Sequence, residues 1–278
     1  MKKQLVVADM DGTLLNSNKE MTDRTLSAIR EISRRGVIFT AASGRPRECL
    51  TRQFPGIPVA TISDNGSTVY DEKGRLIFSG GFSWDQIRPV FEAVSLYDFM
   101  HPVFCGLKNL YVLKGSDEET RLYTAYYLQI NILEVEDISE IYQMDKIVKL
   151  SVHTNKDGSE EAKGYEILEP FADDFFITLS GDGWIDIQKK GCTKGDALME
   201  LCSYLGVDKK DVYVFGDYLN DFDMLSRFPN SYCMLNGHPD VKAVCSHVTR
   251  YSNNEDGVAR ELEEIFALDM KADQHICQ

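Results

Sequence analysis

The chain has 278 residues, 43% apolar and 27% charged, and its 30 Lys and Arg against 44 Asp and Glu give a formal net charge of -14. That length holds one large domain or two ordinary ones, with the balance of a soluble globular protein. The acidic surplus argues against a nucleic-acid partner, and no apolar run approaches the length that spans a bilayer, so no membrane partner is expected.

The start MKKQLVVADMDG is basic and then apolar, but its apolar part is too short for a signal peptide. The seven cysteines are scattered with no CxxC pair, as expected of reduced thiols in a cytoplasmic protein. The five histidines show no HExxH spacing, which argues against a zinc site.

In chain order, QLVVAD predicts a strand and TDRTLSAIREISRRG a helix, with Thr22 as N-cap and Ile29 and Ile32 on its apolar face. GVIFTAAS and PVATISDNG predict two more strands, and STVYDEKGRLIFSG a hairpin turning at DEKG. Strand, helix and strand with short connections imply a parallel sheet. After Gly80-Gly81 the rhythm changes. Residues 83–99 predict a helix, followed by strands LYVLK, VKLSVHT, FFITLSG and WIDIQ and a helix over DEETRLYTAYYLQ. Beyond Lys189-Lys190-Gly191 the opening rhythm resumes with a helix from Thr193, a strand DVYVFGD, a helix through LNDFDMLSRF, a strand SYCML and a last helix from about Asp256. The tail after Ala272 is expected to fray. A smaller α/β unit is thus inserted into a larger one.

Open parallel sheets collect ligands at the carboxyl ends of their strands. Four such ends here are polar: Asp9-Met10-Asp11, Ser43-Gly44, Asp64-Asn65-Gly66, and Gly216-Asp217 followed by Asn220-Asp221. Lys194 joins them at a helix start. Carboxylates one residue apart repel each other and resist dehydration, so a positive charge is expected between Asp9 and Asp11. An all-oxygen ligand set favours magnesium. Gly12 lets the chain bend closely, and Ser43-Gly44 precedes a helix start suited to an anion. Metal, anion cradle and carboxylate together point to phosphoryl transfer, in which aspartates also serve as nucleophiles.

DMDGTLL resembles the first motif of the haloacid dehalogenase-like phosphohydrolases, TAASGRP the second, KGCTKGDAL the third and GDYLNDFDML the fourth. Their order is also that of the family, and the inserted block falls where the Cof-type branch carries its cap. The resemblance implies an α/β fold with a discontinuous Rossmann-like parallel-sheet core over 1–81 and 190–278, and an inserted α/β cap domain over 82–189. It implies that Asp9 attacks phosphorus and that Asp11 serves as general acid and base. Asp9, the backbone carbonyl of Asp11, and Asp217 would bind Mg2+, with Asp221 orienting a metal-bound water. Ser43 and Lys194 would hold phosphate oxygens, helped by the Met10 and Gly44 backbones and by Asn220.

Three departures are small: Ser43 where many relatives have Thr, Asp186 where many have Glu, and Asn236 before Gly237 in MLNGHPDVK. Asn65-Gly66 reads equally as a plain turn or a substrate-lining one, and Arg45 equally as a helix-start cation. The expected function is Mg2+-dependent hydrolysis of small phosphorylated metabolites such as sugar phosphates, phosphorylated cofactors or nucleotides. The alternatives are a phosphomutase on the same fold and a non-catalytic metabolite sensor. A monomer or weak homodimer is expected.

Overall fold

An apolar run without polar alternation needs cover on both faces, and LVVAD receives it. In the computed structural model, which describes residues 3–116, 120, 132–154, 158–181 and 183–268, all five residues of this strand are buried. The chain opens with β1 (Leu5–Asp9), β2 (Ile38–Ala42), β3 (Ala60–Ser63), β4 (Thr68–Tyr70) and β5 (Leu76–Ser79). It continues through β6 (Met100–Gly106), β7 (Leu110–Leu113), β8 (Ile132–Val135), β9 (Ile147–Thr154), β10 (Phe175–Gly181) and β11 (Trp184–Lys189). It closes with β12 (Val212–Gly216), β13 (Asn230–Cys233) and β14 (His247–Val248).

The first and last groups form one eight-stranded sheet in the order β14-β13-β12-β1-β2-β3-β4-β5. Its strands from β14 to β3 run parallel, and β4 and β5 add the expected antiparallel hairpin. The fold is α/β with a parallel-sheet core. Side chains alternate across β1, so Val6 and Ala8 pack against Ala28, Ile29, Ile32, Val258 and Leu262 on one face. Leu5 and Val7 pack against Ala197, Leu198 and Leu201 on the other. The helix Asp23–Arg34 starts as its sequence indicates: the Thr22 side chain accepts from the Thr25 backbone N–H, and Ile29 and Ile32 are buried. Each such isoleucine contributes about 1.5–3 kcal/mol by leaving water.

Strands β6 to β11 form a second, six-stranded sheet in the order β10-β11-β9-β6-β7-β8. One face packs Phe104, Leu150, Val152, Ile185 and Ile187 against Ile87, Val90, Val94 and Leu168 of the helices Trp84–Val94 and Gly158–Leu168. The opposite face turns Val103, Cys105, Lys149, Ser151 and Asp186 toward the rim of the first sheet, where they line a shared cavity.

Several elements differ from expectation. The helix expected over 83–99 stops at Val94. The helix through LNDFDMLSRF opens with a tight turn at Leu219–Asp221 before Phe222–Arg227. Strands β6, β8 and β14 and the helices Ile138–Met144, Gly158–Leu168 and Pro239–Val244 add to the elements named from sequence. The helix expected over 117–129 lies, Thr120 apart, outside the described residues, as do Cys277 and the tail after Ala272. Among the described residues, no helix is long and apolar enough to cross a membrane.

Candidate active site

Strand β1 ends at Asp9 in the middle of the first sheet, between the ends of β2 and β12. Lys194 opens the helix Lys194–Leu205, which Thr193 caps by accepting from the Asp196 N–H. Its Nζ donates to Asp9 Oδ1 at 2.6 Å and to Asp221 Oδ1 at 2.7 Å. Burial alone would lower the Lys194 pKa, but Asp221 and Asp9 outweigh it and the ammonium is held charged.

Asp217, one residue past β12, completes a buried group in which carboxylate oxygens of Asp9, Asp217 and Asp221 lie within 4.8 Å of one another. Thr13 Oγ1 donates to Asp217 Oδ1 at 2.9 Å, and the Asp217 N–H donates to Asp221 Oδ2 at 3.0 Å. Gly12 is required where it stands. Its φ is +83°, and a Cβ there would fall 2.3 Å from Asp217 Oδ2. The Asn236-Gly237 order costs the site nothing: Asn236 Nδ2 donates to the Gly12 carbonyl at 2.8 Å, and the His238 N–H donates to the Asp217 carbonyl at 2.8 Å.

Burial raises the Asp9 carboxyl well above the usual range, with Asp221 and Asp217 adding to the effect and Lys194 opposing it. Burial and Asp221 push Asp217 up to about 7. Three carboxylates face one ammonium, so the site carries surplus negative charge in a buried setting. That surplus and an all-oxygen donor set fit a hard divalent cation such as Mg2+.

Asp11 has different surroundings. Arg45 Nε donates to its Oδ2 at 2.8 Å and Arg45 Nη2 to its Oδ1 at 2.6 Å, while Lys19 Nζ reaches Oδ1 at 3.0 Å. Burial would raise the Asp11 pKa, but Arg45 and Lys19 outweigh it and hold the carboxyl below the usual range. Its carboxylate is not among the three clustered ones.

Asp9, Asp11, Ser43, Gly44, Asp217 and Asn220 line a cavity of about 370 Å3, and Lys194 and Asp221 sit buried behind Asp9. The Met10 side chain packs in the core, leaving only its backbone to the site. The Arg45 N–H donates to Ser43 Oγ at 3.2 Å, and Asn220 Nδ2 donates to Asn65 Oδ1 at 3.2 Å. Asn65 also donates to Asp186 Oδ2 at 2.6 Å across the two sheets, so it is more than a turn residue.

The opposite wall carries residues the sequence reading did not single out for the site: Lys149, Ser151, Ser180 and Trp184. The cavity also holds a thiol, Cys105, but burial pushes it to about 12, which removes it as a nucleophile near neutral pH.

The family model for haloacid dehalogenase-like hydrolases matches residues 6–262. The chain belongs to that family. It is 27% identical to 5-amino-6-(5-phospho-D-ribitylamino)uracil phosphatase YbjI of Escherichia coli, over 99% of this chain and 100% of that one. It is 26% identical to HMP-PP phosphatase of Cronobacter sakazakii, over 86% of this chain and 87% of that one. Among solved structures, SMU.1108c from Streptococcus mutans superposes with a TM-score of 0.82 at 26% identity, covering 95% of this chain and 99% of the other.

Proposed function

We propose that this hydrolase is a Mg2+-dependent phosphatase that cleaves small phosphorylated metabolites through an aspartyl phosphate on Asp9. The observation that carries the reading is the meeting of Asp9, Asp217 and Asp221 around Lys194, beside Asp11 and Ser43 on one cavity. Two relatives named for phosphatase activity on small compounds support the substrate class. A cavity of about 370 Å3 is of metabolite size.

Asp9 is the nucleophile in this reading, because Lys194 fixes one oxygen and the other is left for phosphorus. The carboxylate oxygen forms the new P–O bond as the ester P–O bond breaks. Freed from Arg45 and Lys19 by the substrate, Asp11 takes up a proton from solvent, gives it to the departing oxygen and then takes one from the water that hydrolyses the acyl phosphate. Asp11 must therefore exchange Arg45 and Lys19 for the substrate's bridging oxygen when substrate binds. Ser43, the Gly44 and Met10 backbones and Asn220 orient the phosphoryl oxygens. Lys194 keeps Asp9 and Asp221 apart and in register. Asp9, Asp217 and the Asp11 carbonyl would hold a Mg2+ ion, with Asp221 helping to orient it, and the ion would supply charge neutralisation for the phosphoryl group and for the crowded carboxylates. Residues 82–189 act as the cap, their polar wall facing the leaving group and excluding bulk water.

The test is phosphate release from an aryl phosphate and a panel of metabolite phosphates, with Mg2+ or with EDTA. Turnover is expected with Mg2+, lost in EDTA and lost in Asp9→Asn. Undiminished turnover in EDTA, or in a folded Asp9→Asn variant, would contradict the reading.

A further inference from the structure

We propose that Asp186 and Lys149, both on the second sheet, are positioning residues that assemble the phosphate cradle of the first sheet. The inference rests on the phosphatase reading above and concerns how its anion site is built.

Two hydrogen-bonded arms leave this pair. Along the first, Lys149 Nζ donates to the Gly44 carbonyl at 2.9 Å. That carbonyl shares a peptide unit with the Arg45 N–H, which donates to Ser43 Oγ at 3.2 Å. An ammonium on the carbonyl polarises the peptide and strengthens its N–H as a donor. With Oγ accepting from the backbone, the Ser43 hydroxyl keeps its own proton for an anion. Along the second arm, Asn65 Nδ2 donates to Asp186 Oδ2 at 2.6 Å, and Asn65 Oδ1 accepts from Asn220 Nδ2 at 3.2 Å. Asp186 thereby fixes the face of Asn65 that orients the Asn220 amide. Asn65 sits at φ 54° and ψ 26°, a left-handed conformation that asparagine tolerates better than most residues.

The pair is itself held tightly. Lys149 Nζ lies 3.2 Å from Asp186 Oδ1, and both side chains are buried. Ser151 Oγ donates to Asp186 Oδ1 at 2.5 Å and Ser180 Oγ to Oδ2 at 2.6 Å. The carboxylate is occupied by donors of its own sheet, by Lys149 and by Asn65, which suits an organiser better than a substrate ligand. Seating the second sheet therefore sets both Ser43 and Asn220, and phosphate affinity depends on residues that need not touch phosphate.

Lys149 also lines the cavity, so the rival explanation is a direct grip on the leaving group. Inorganic phosphate separates the two, because it has no leaving group. Its affinity is measured calorimetrically with Mg2+ present and as competitive inhibition of aryl phosphate hydrolysis. The full chain is compared as wild type, as Lys149→Met with Asp186→Asn, as Asp186→Glu and as Asn65→Gly. The double variant removes both members of the buried ion pair together, and Asn65→Gly cuts the second arm without backbone strain.

The double variant is expected to bind phosphate about tenfold more weakly or worse, and Asn65→Gly to lose a smaller factor. Asp186→Glu is expected to recover most of the affinity. Should the double variant not fold, Asn65→Gly alone decides. Wild-type phosphate affinity in the folded variants, with losses confined to particular leaving groups, overturns the proposal. A wild type that neither binds phosphate nor releases it from any ester overturns the phosphatase reading instead.

Discussion

Asp9 and Asp11 are one residue apart and chemically far apart. Burial raises the first, while Arg45 and Lys19 outweigh burial and lower the second. In the free site these shifts run opposite to the proposed roles, so the roles require a cation that ionises Asp9 and the release of Asp11 from Arg45 and Lys19. Arg45 favours the ionised form of Asp11, so its removal raises the Asp11 pKa and keeps the acid protonated to higher pH. Arg45→Met is expected to move the alkaline limb of the kcat/KM profile upward, and an unmoved limb would detach Asp11 from the acid role.

A second residue-scale prediction concerns Asp64, whose carboxyl burial raises to about 7 against opposition from Lys149 and Thr68. The native state then holds a proton that the unfolded chain releases near 3.8, so stability falls as pH rises through the interval up to about 7. Asparagine keeps the required φ of 51° without the charge. Asp64→Asn is expected to be more stable than wild type by about 1–3 kcal/mol at pH 8 and to show no such gain near pH 4. Urea unfolding at the two pH values checks it, and an unchanged pH slope would contradict it. The four motifs around Asp9, Ser43, Lys194 and Asp217 were legible because each is local in sequence. The pairing of Arg45 with Asp11 was not, because it arises only once β1 and β2 end side by side.

Elements show the same divide. VKLSVHT reads correctly as a strand, but alternation does not say what its polar side faces. Solvent is the usual answer; here Lys149 and Ser151 face the first sheet and become a cavity wall. Strand β6 was hidden by Pro102, which argues against a central strand. Its neighbour β7 pairs only with Phe104 and Cys105, so at Pro102 the ladder has β9 alone. Strand β14 has two residues, too few for any periodicity. The helix Lys194–Leu205 was legible from sequence as starting at Thr193. Thr193 also donates to Asp223, so one hydroxyl ties the helix start to the neighbouring helix. Thr193→Ala is expected to cost about 1 kcal/mol or somewhat more in denaturant unfolding and to lower kcat by loosening Lys194. A variant destabilised to that extent with unchanged kcat would show that the cap does not position the lysine.

At the scale of the molecule, an acidic chain presents a cavity with cations on both walls. Lys19 and Arg45 stand on one side and Lys149 on the other. The net charge of -14 does not describe this pocket. The arrangement of two sheets was legible from the change of rhythm near Gly80 and its return after Gly191. Their mutual seating was not, because it rests on contacts such as Lys149 to Gly44 and Asn65 to Asp186, made between residues more than a hundred positions apart. The same seating places the polar wall over Asp9. The direct test of the role given to Asp9 is acid-quenched mass spectrometry of the enzyme during turnover of an aryl phosphate with Mg2+. The expected result is one added phosphoryl group on the peptide that carries Asp9, lost on treatment with hydroxylamine. Sustained hydrolysis with that peptide never labelled, under a quench fast enough to precede turnover, would contradict the aspartyl phosphate and the role given to Asp9.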